Sequence, residues 1–348
     1  FMSILITIIM FGIIIALHEF GHFIVAKLCD VRIAEFSIGV GPAIFKKKGK
    51  ETLFCIRLLP FGGFCMFEND EDAEYDERAF ENKKTWQKIV ILLAGAVMNI
   101  LLGFILVFVT TCLEPGKITS TTVSNFYENA RSEQTGLKVD DRIIEVNGMR
   151  VFVDGDILYQ FSKDKDGVFD MVVMRDGEKV ELEGVTFDLI ADESGNSSMV
   201  IDFTVYGKDK TFVNICERTV NQTIYISRIV ILSLVDLVSG EYSVRDLSGP
   251  VGVVSVIGSA ISPQQAFINN VITVLTISSL ITVNVGIFNL IPFPALDGGK
   301  ILFRIIEVII KKKIKPEIEG TISAIGMFLL FGLMIFTTFN DILKLFGK

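Results

Sequence analysis

Histidine is almost absent: 348 residues contain two, alongside one tryptophan and eight prolines. Five cysteines, Cys29, Cys55, Cys65, Cys112 and Cys216, stand far apart with no C-x-x-C pair. That spacing excludes a disulfide scaffold and a structural zinc ribbon. Charge is scarce as well. Asp, Glu, Lys and Arg make up 21% of the chain and sum to −8, so there is no basic footprint for nucleic acid and that class is set aside. Apolar residues fill the space: the AVILMFWYC set reaches 50% and mean hydropathy is +0.53. These values exclude a disordered chain and are hard to reconcile with a simple soluble enzyme.

The apolar residues fall in runs. Residues 2–28, 89–113, 268–291 and 321–346 each read as a transmembrane helix, since about 20 apolar residues cross a bilayer. The first is not read as a signal peptide, because it has neither a basic leader nor a small-residue cleavage site. Four spans put both termini on one side. Short loops rich in lysine mark the cytoplasm: Lys46, Lys47, Lys48 and Lys50 after the first span, Lys83, Lys84 and Lys88 before the second, and Lys311, Lys312, Lys313 and Lys315 before the fourth. Both termini and the long segment after the second span are then extracytoplasmic. Within it, residues 114–206 read as a small β-rich domain, with strand chemistry at Arg142 to Val146, Phe169 to Met174 and Val180 to Val185, and a turn at Asp176-Gly177. Residues 211–266 read as amphipathic or packing helices, because Arg228 and Asp236 would be costly in lipid. On the cytoplasmic side, 31–66 has a strand-and-turn texture, 67–88 is an acidic connector, and 292–315 is a proline-interrupted segment and loop.

His18-Glu19-Phe20-Gly21-His22 is an H-E-x-x-H motif. Residues four apart on a helix share a face, so both imidazoles can hold one metal with Glu19 beside them. Chance produces the pattern on the order of once per thousand such chains, and this chain spends every histidine it has on it. Counting back from Lys27 at about 1.5 Å per residue places His22 roughly 7 Å and His18 roughly 13 Å inside the membrane boundary. An ionisable group at that depth is a functional hypothesis by default. Zinc suits two neutral imidazoles, a third protein ligand and an open position for water.

No histidine remains for the third ligand. The best candidate is Asp297 in Asn289-Leu-Ile-Pro292-Phe-Pro294-Ala-Leu-Asp297-Gly298-Gly299, where the prolines stop the third span and leave Asp297 on irregular backbone near its cytoplasmic end. A helix N-cap is the plainer reading of Asp297. Asn289 is placed to hydrogen-bond a substrate backbone or, more plainly, to pack between helices.

These residues resemble the site-2 proteases, intramembrane zinc metalloproteases of peptidase M50 type. The likeness rests on H-E-F-G-H in a first span, N-x-x-P-x-P-x-L-D-G-G in a late one, and the module between them. Arg57-Leu-Leu-Pro60-Phe-Gly62-Gly63-Phe64 is similar to the family's membrane-reentrant β loop. Gly95-Ala-Val-Met-Asn99 is similar to its second-helix motif, and Ser248-Gly249-Pro250-Val251-Gly252 to the segment before its third helix. Gly136-Leu137 through Asp141-Arg142-Ile143-Ile144 to Asn147-Gly148 resembles one PDZ domain.

The resemblance implies a polytopic α-helical membrane protein of four transmembrane helices, with a reentrant β loop over 31–66 and an extracytoplasmic PDZ domain over 114–206, in a bacterial cytoplasmic membrane. It implies Zn2+ on His18, His22 and Asp297, Glu19 as catalytic base, and Asn289, Gly62, Gly63 and Phe64 as substrate-positioning residues. The implied substrates are single-span membrane proteins already cut by another protease, such as anti-sigma factors, and signal-peptide remnants. Because a helical substrate must unwind before attack, an exposed strand edge within 53–66 would replace the hydrogen bonds it loses. The PDZ domain would filter by size or read substrate tails. Three competing readings make different demands. A membrane-tethered soluble-type protease needs H-E-x-x-H outside the apolar run. An inert scaffold whose PDZ domain binds protein tails has no need of Glu19. A metal transporter wants ionisable residues in several spans.

Overall fold

A computed structural model describes residues 2–67, 76–191, 197–240, 243, 247–262 and 264–346; part of the acidic connector, 68–75, lies outside them. The chain opens with α1 (Met2–Leu28), β1 (Ile33–Lys48), β2 (Leu53–Phe67), a 3-10 turn (Phe80–Asn82) and α2 (Thr85–Leu113). A mixed stretch follows: β3 (Ile118–Phe126), α3 (Arg131–Gln134), β4 (Arg142–Val146), β5 (Met149–Arg150), α4 (Asp154–Lys163), β6 (Val168–Arg175), β7 (Glu178–Thr186), β8 (Leu189–Ala191), β9 (Ser197–Met199) and β10 (Phe203–Lys208). It ends with α5 (Phe212–Ser239), α6 (Pro250–Ala260), α7 (Phe267–Leu290), α8 (Asp297–Ile310) and α9 (Pro316–Phe346). Two compact units result, one of residues 1–106 with 229–348, the other of residues 107–228.

Among the described residues, five helices rather than four are long and apolar enough to cross a membrane: α1, α2, α5, α7 and α9. The added one is α5, by length and composition, within the segment 211–266 expected to form amphipathic or packing helices. Three elements also differ from their expected extents. α2 begins four residues early, at Thr85, α9 begins five early, at Pro316, and 292–315 contains the helix α8.

In the membrane unit, α1 buries Thr7, Met10, Ile14, His18, Gly21, His22 and Ala26, a stripe at three- and four-residue spacing. Met10 and Ile14 pack on Ile257 of α6, with Leu102, Ile277 and Ile281 around them. At the other end Ala26, Val31, Ile33 and Ile91 form a second cluster. Gly21 is required by this packing, because a Cβ there would stand 2.5 Å from the Ala94 carbonyl oxygen. α6 is anchored from α9: the buried Asp341 carboxylate accepts from the backbone N–H of Gly249 and Gly252 at 2.8 and 2.7 Å. It satisfies donors that a helix start leaves open.

β1 and β2 fold back on themselves into four rows, in which the outer pairs run antiparallel and the central pair, 35–38 with 53–56, runs in the same direction. Residues 35–38 pair with 53–56 on one side and 63–66 on the other, while 53–56 also pair with 45–48. The rows therefore run 45–48, 53–56, 35–38, 63–66. Residues 53–56 are thus interior, and the free edges are 63–66 and the lysine row 46–48.

In the second unit the strand order is β10-β3-β4-β6-β7, with β5 on β4. Phe161, Phe169, Met171, Val173, Val185 and Phe187 build its core. Asp176 and Gly177 both have positive φ, 53° and 86°, the conformation that a two-residue hairpin turn requires. The first half of α5 is pinned to α4: Arg218 pairs with Asp154 at 2.6 Å, and Arg228 pairs with the buried Asp156. The Arg228 charge is therefore matched inside the unit.

Candidate metal centre

His18 and His22 lie one turn apart on the buried stripe of α1, and α2 passes behind them at Gly95. A Cβ on Gly95 would stand 2.4 Å from His22 Nε2 and 2.6 Å from His18 Cε1, so only glycine leaves the two rings their places. Asp297 arrives from the opposite direction as the first residue of α8. The expectation of irregular backbone is corrected here: helix begins at Asp297, with Leu296 as its N-cap. A carboxylate is favoured there by the positive end of the helix dipole. Gly298 and Gly299 permit the tight entry, because Cβ atoms on them would fall 2.3 Å from Ile291 O and 2.2 Å from Phe293 O.

The three side chains converge. Asp297 Oδ2 is 3.1 Å from Nε2 of each histidine, and the two Nε2 atoms are 3.2 Å apart. All three residues are buried. The Ile91 carbonyl lies 2.8 Å from His22 Nδ1 and can only accept, so Nδ1 carries the proton of the neutral ring and Nε2 presents its lone pair. A lone pair facing a carboxylate oxygen at 3.1 Å is repulsive unless a proton or a metal ion lies between them. Ligands about 2.0–2.1 Å from a tetrahedral zinc stand roughly 3.3 Å from one another, close to the spacing here. The donor set and its geometry fit zinc.

Asn99, fully buried on α2 one turn beyond Gly95, stands behind His18. Its carboxamide nitrogen is 3.3 Å from His18 Nδ1, and its oxygen is buried without a partner. A half-turn of the carboxamide exchanges the two, so that the oxygen accepts from Nδ1–H and His18 Nε2 is freed as a ligand. Asn99 is itself held from α7, where Thr282 Oγ1 donates to its carbonyl at 3.2 Å. Ile91, Gly95 and Asn99 were not read from the sequence as parts of the site. The signals for Gly95 and Asn99 were the likeness of Gly95-Ala-Val-Met-Asn99 to a family motif and their separation by four, matching the histidine spacing.

Glu19, half-buried, faces the β rows. A Cβ at Gly63 would meet Glu19 Cγ at 3.1 Å and the Ser37 carbonyl oxygen at 3.0 Å, so the outer row 63–66 passes directly over the acid. Gly62 takes φ +87°, which favours glycine. The Phe64 ring is covered by the Arg57 guanidinium at 5.1 Å, itself fixed by Glu35 at 2.5 Å and Ser37 at 2.7 Å. Asn289 is half-buried in the last turn of α7, and none of the described hydrogen bonds involves it.

Farther along α8 the buried Arg304 pairs with Glu307 at 3.0 Å and Glu319 at 2.5 Å, and lies 3.7 Å from Glu81. Glu81 also takes Lys88 at 2.8 Å. These ions tie the helix that carries Asp297 to α9 and α2.

An H-E-x-x-H pair on an apolar helix and a carboxylate from a distant helix form a group that could hold a metal, the donor pattern of a membrane zinc metalloprotease. The chain belongs to peptidase family M50, whose model matches residues 6–333. A Clostridium acetobutylicum protein named "Putative zinc metalloprotease" is 34% identical over 344 residues, covering 98% of each chain. A Fusobacterium nucleatum protein of the same description is 32% identical over 352 residues, 99% of this chain and 100% of the relative. The "Regulator of sigma-W protease RasP" of Bacillus subtilis is 26% identical over 421 residues, 97% of this chain and 98% of the relative. The chain is thus a zinc metalloprotease of site-2 protease type.

Proposed function

We propose that the protein cuts a peptide bond inside the transmembrane segment of single-span bacterial membrane proteins that another protease has already shortened. Anti-sigma factors and signal-peptide remnants are the substrate classes considered. The observation that carries this reading is the convergence of His18, His22 and Asp297, beside Glu19 and a strand row, 63–66, with one free edge among the described residues. Zinc held by those three residues would supply Lewis acidity and water activation near neutral pH. Glu19 would serve as the general base and pass the proton on to the leaving amine. His22 and His18 are kept in the ligating tautomer by the Ile91 carbonyl and by Asn99. The row 63–66 pairs with the unwound substrate strand, replacing the helical hydrogen bonds it gives up, and Gly63 keeps side-chain bulk away from Glu19. Asn289 positions the substrate backbone from α7. This reading counts four spans and leaves α5 outside the bilayer, so that both termini and a PDZ domain over 114–206 are extracytoplasmic and the active site lies toward the cytoplasm.

The test is Glu19→Gln in membranes with a tagged single-span substrate. Zinc content should stay at one per chain while cleavage falls below detection. An active Glu19→Gln enzyme sinks the mechanism.

A further inference from the structure

The row of the β sheet farthest from Glu19 carries charge that is unmatched among the described residues. Lys46, Lys47 and Lys48 form its free edge and Lys50 follows in the turn, and all four are exposed. Across the sheet the first three face Cys55, Phe54 and Leu53, none of them acidic. The acids close by are already matched: Glu51 holds Lys27 at 3.0 Å and Arg78 at 2.8 Å, and Glu35 holds Arg57 at 2.5 Å. None of the ion pairs among the described residues includes Lys46, Lys47, Lys48 or Lys50.

The rows lie along α1 in a definite order. Glu51 meets Lys27 in the last turn of α1. Four residues back, Phe23 meets Phe54 with 5.7 Å between ring centroids, and farther back Glu19 and Ile15 lie beside Gly63. Lys47 pairs with Phe54, and Phe45 pairs with Ile56. With Lys27 at the membrane boundary, Lys47 therefore stands about 6 Å inside it at about 1.5 Å per helical residue. Phe45 and Ile44 reach deeper, by about 3.3 Å per strand residue. Toward that deeper end Ile44, Phe45, Ile56, Leu58 and Leu59 are exposed. An apolar tip below a band of lysines suits the interface, where each lysine stem lies along apolar surface and its ammonium reaches back to the headgroups.

We propose that this edge docks anionic phospholipid headgroups, with Lys46 and Lys48 leaving one face of the strand and Lys47 the other. Zwitterionic headgroups bring no net charge to answer the four lysines, whereas anionic ones complete them. Bound lipid fixes the depth of the sheet beside α1, and with it the opposite free row 63–66. Docking rests on the membrane placement of α1 given above and not on proteolysis. Nanodiscs carry the same lipid in both leaflets, so neither the side that the sheet faces nor a loss of cleavage alters the result.

The full-length chain is placed in phosphatidylcholine nanodiscs holding a minor share of a photoactivatable lipid, either phosphatidylglycerol or phosphatidylcholine, and crosslinks are mapped by mass spectrometry. The phosphatidylglycerol probe should label residues 44–56 at least tenfold more than the phosphatidylcholine probe, against about fivefold for a single surface lysine. The variant Lys46→Gln/Lys47→Gln/Lys48→Gln/Lys50→Gln, at four exposed positions, should cut that labelling at least tenfold. Its melting temperature, its zinc content and the labelling of the 311–315 loop should stay as in the wild type. The matching variant with four arginines should label as the wild type does, and 1 M NaCl should lower labelling severalfold. Docking is overturned if the two probes label 44–56 equally, if the glutamine variant keeps its labelling, or if its labelling falls as much over 311–315. It is also overturned if 44–56 stays unlabelled, the result expected if acids of the connector at 68–75 answer the lysines instead.

Discussion

Phe169 in the second unit and Phe328 in α9 carry the same side chain in opposite surroundings: the first is 0% exposed and the second 79%. The contrast extends to whole units. The second unit buries Phe169, Met171, Val173, Val185 and Phe187 and keeps most of its charges outside. The membrane unit exposes Phe328, Leu329, Phe331 and Phe339 and buries His18, His22, Asn99, Asp297, Arg304 and Asp341. Water makes the interior of a domain the place for apolar groups. Lipid removes that pressure, so inward positions become available for close backbone packing and for polar groups that need shelter. Burial therefore signals structure in one unit and chemistry in the other.

The largest effect should come from one methyl group on the chemical side of this contrast. Gly95→Ala places Cβ where His22 Nε2 stands, at 2.4 Å. Bound zinc should fall below one-tenth per chain and cleavage by at least about 10³-fold, the scale of losing an essential catalytic element, with far-UV circular dichroism unchanged. Elemental analysis and a substrate assay read both. Retained zinc would show that the two helices yield, and that the centre is not shaped by close packing.

The phenylalanine pair tests the contrast itself. Phe169→Ala should cost about 3–5 kcal/mol of stability in the second unit, read as lost hydrogen-exchange protection over 168–175, with zinc content unchanged. Phe328→Ala should change stability by less than about 0.5 kcal/mol, because that side chain faces lipid tails. Equal effects would dissolve the comparison. Next in size is Asn99→Ala, which leaves His18 without its Nδ1 partner. Zinc affinity should drop about 10–100-fold, measured by competition with a chelator, and Asn99→Asp should recover part of it.

Much of the centre was legible in the sequence, for physical reasons. Helical periodicity is local, so His18 and His22 on one face needed no tertiary knowledge, and the shortage of histidine itself directed attention to Asp297. The start of α8 at Asp297 differs from the expectation because Pro292 and Pro294 stop α7 without fixing where the next helix begins. Proline commonly precedes a helix as well as ending one, and the glycines after Asp297 permit the sharp entry. Ile91 escaped notice because a backbone carbonyl has no sequence signature. The four rows of β1 and β2 were hidden because each strand pairs with two segments of the other, and register across a bend is a long-range property. The edge expected anywhere in 53–66 proved to be 63–66 alone.

The smallest predicted effect lies at the water-exposed turn between β1 and β2. Glu51 accepts from Arg78 at 2.8 Å and Lys27 at 3.0 Å, and these cations lower its pKa from 4.5 to about 2, Arg78 contributing most. A carboxyl whose folded pKa is depressed stabilises the fold above its unfolded pKa and loses that contribution as pH falls through the folded value. The melting temperature of the wild type should therefore exceed that of Glu51→Gln by a small constant amount above pH 5, and the two should converge between pH 4.5 and about 2. Full exposure to solvent and salt keeps the gap small, and 1 M NaCl should narrow it further. His18, His22 and Asp297 are sheltered from solvent by burial, so zinc content at pH 7 should be indifferent to that salt. A salt-sensitive zinc content would mean that the centre is as open to water as the turn.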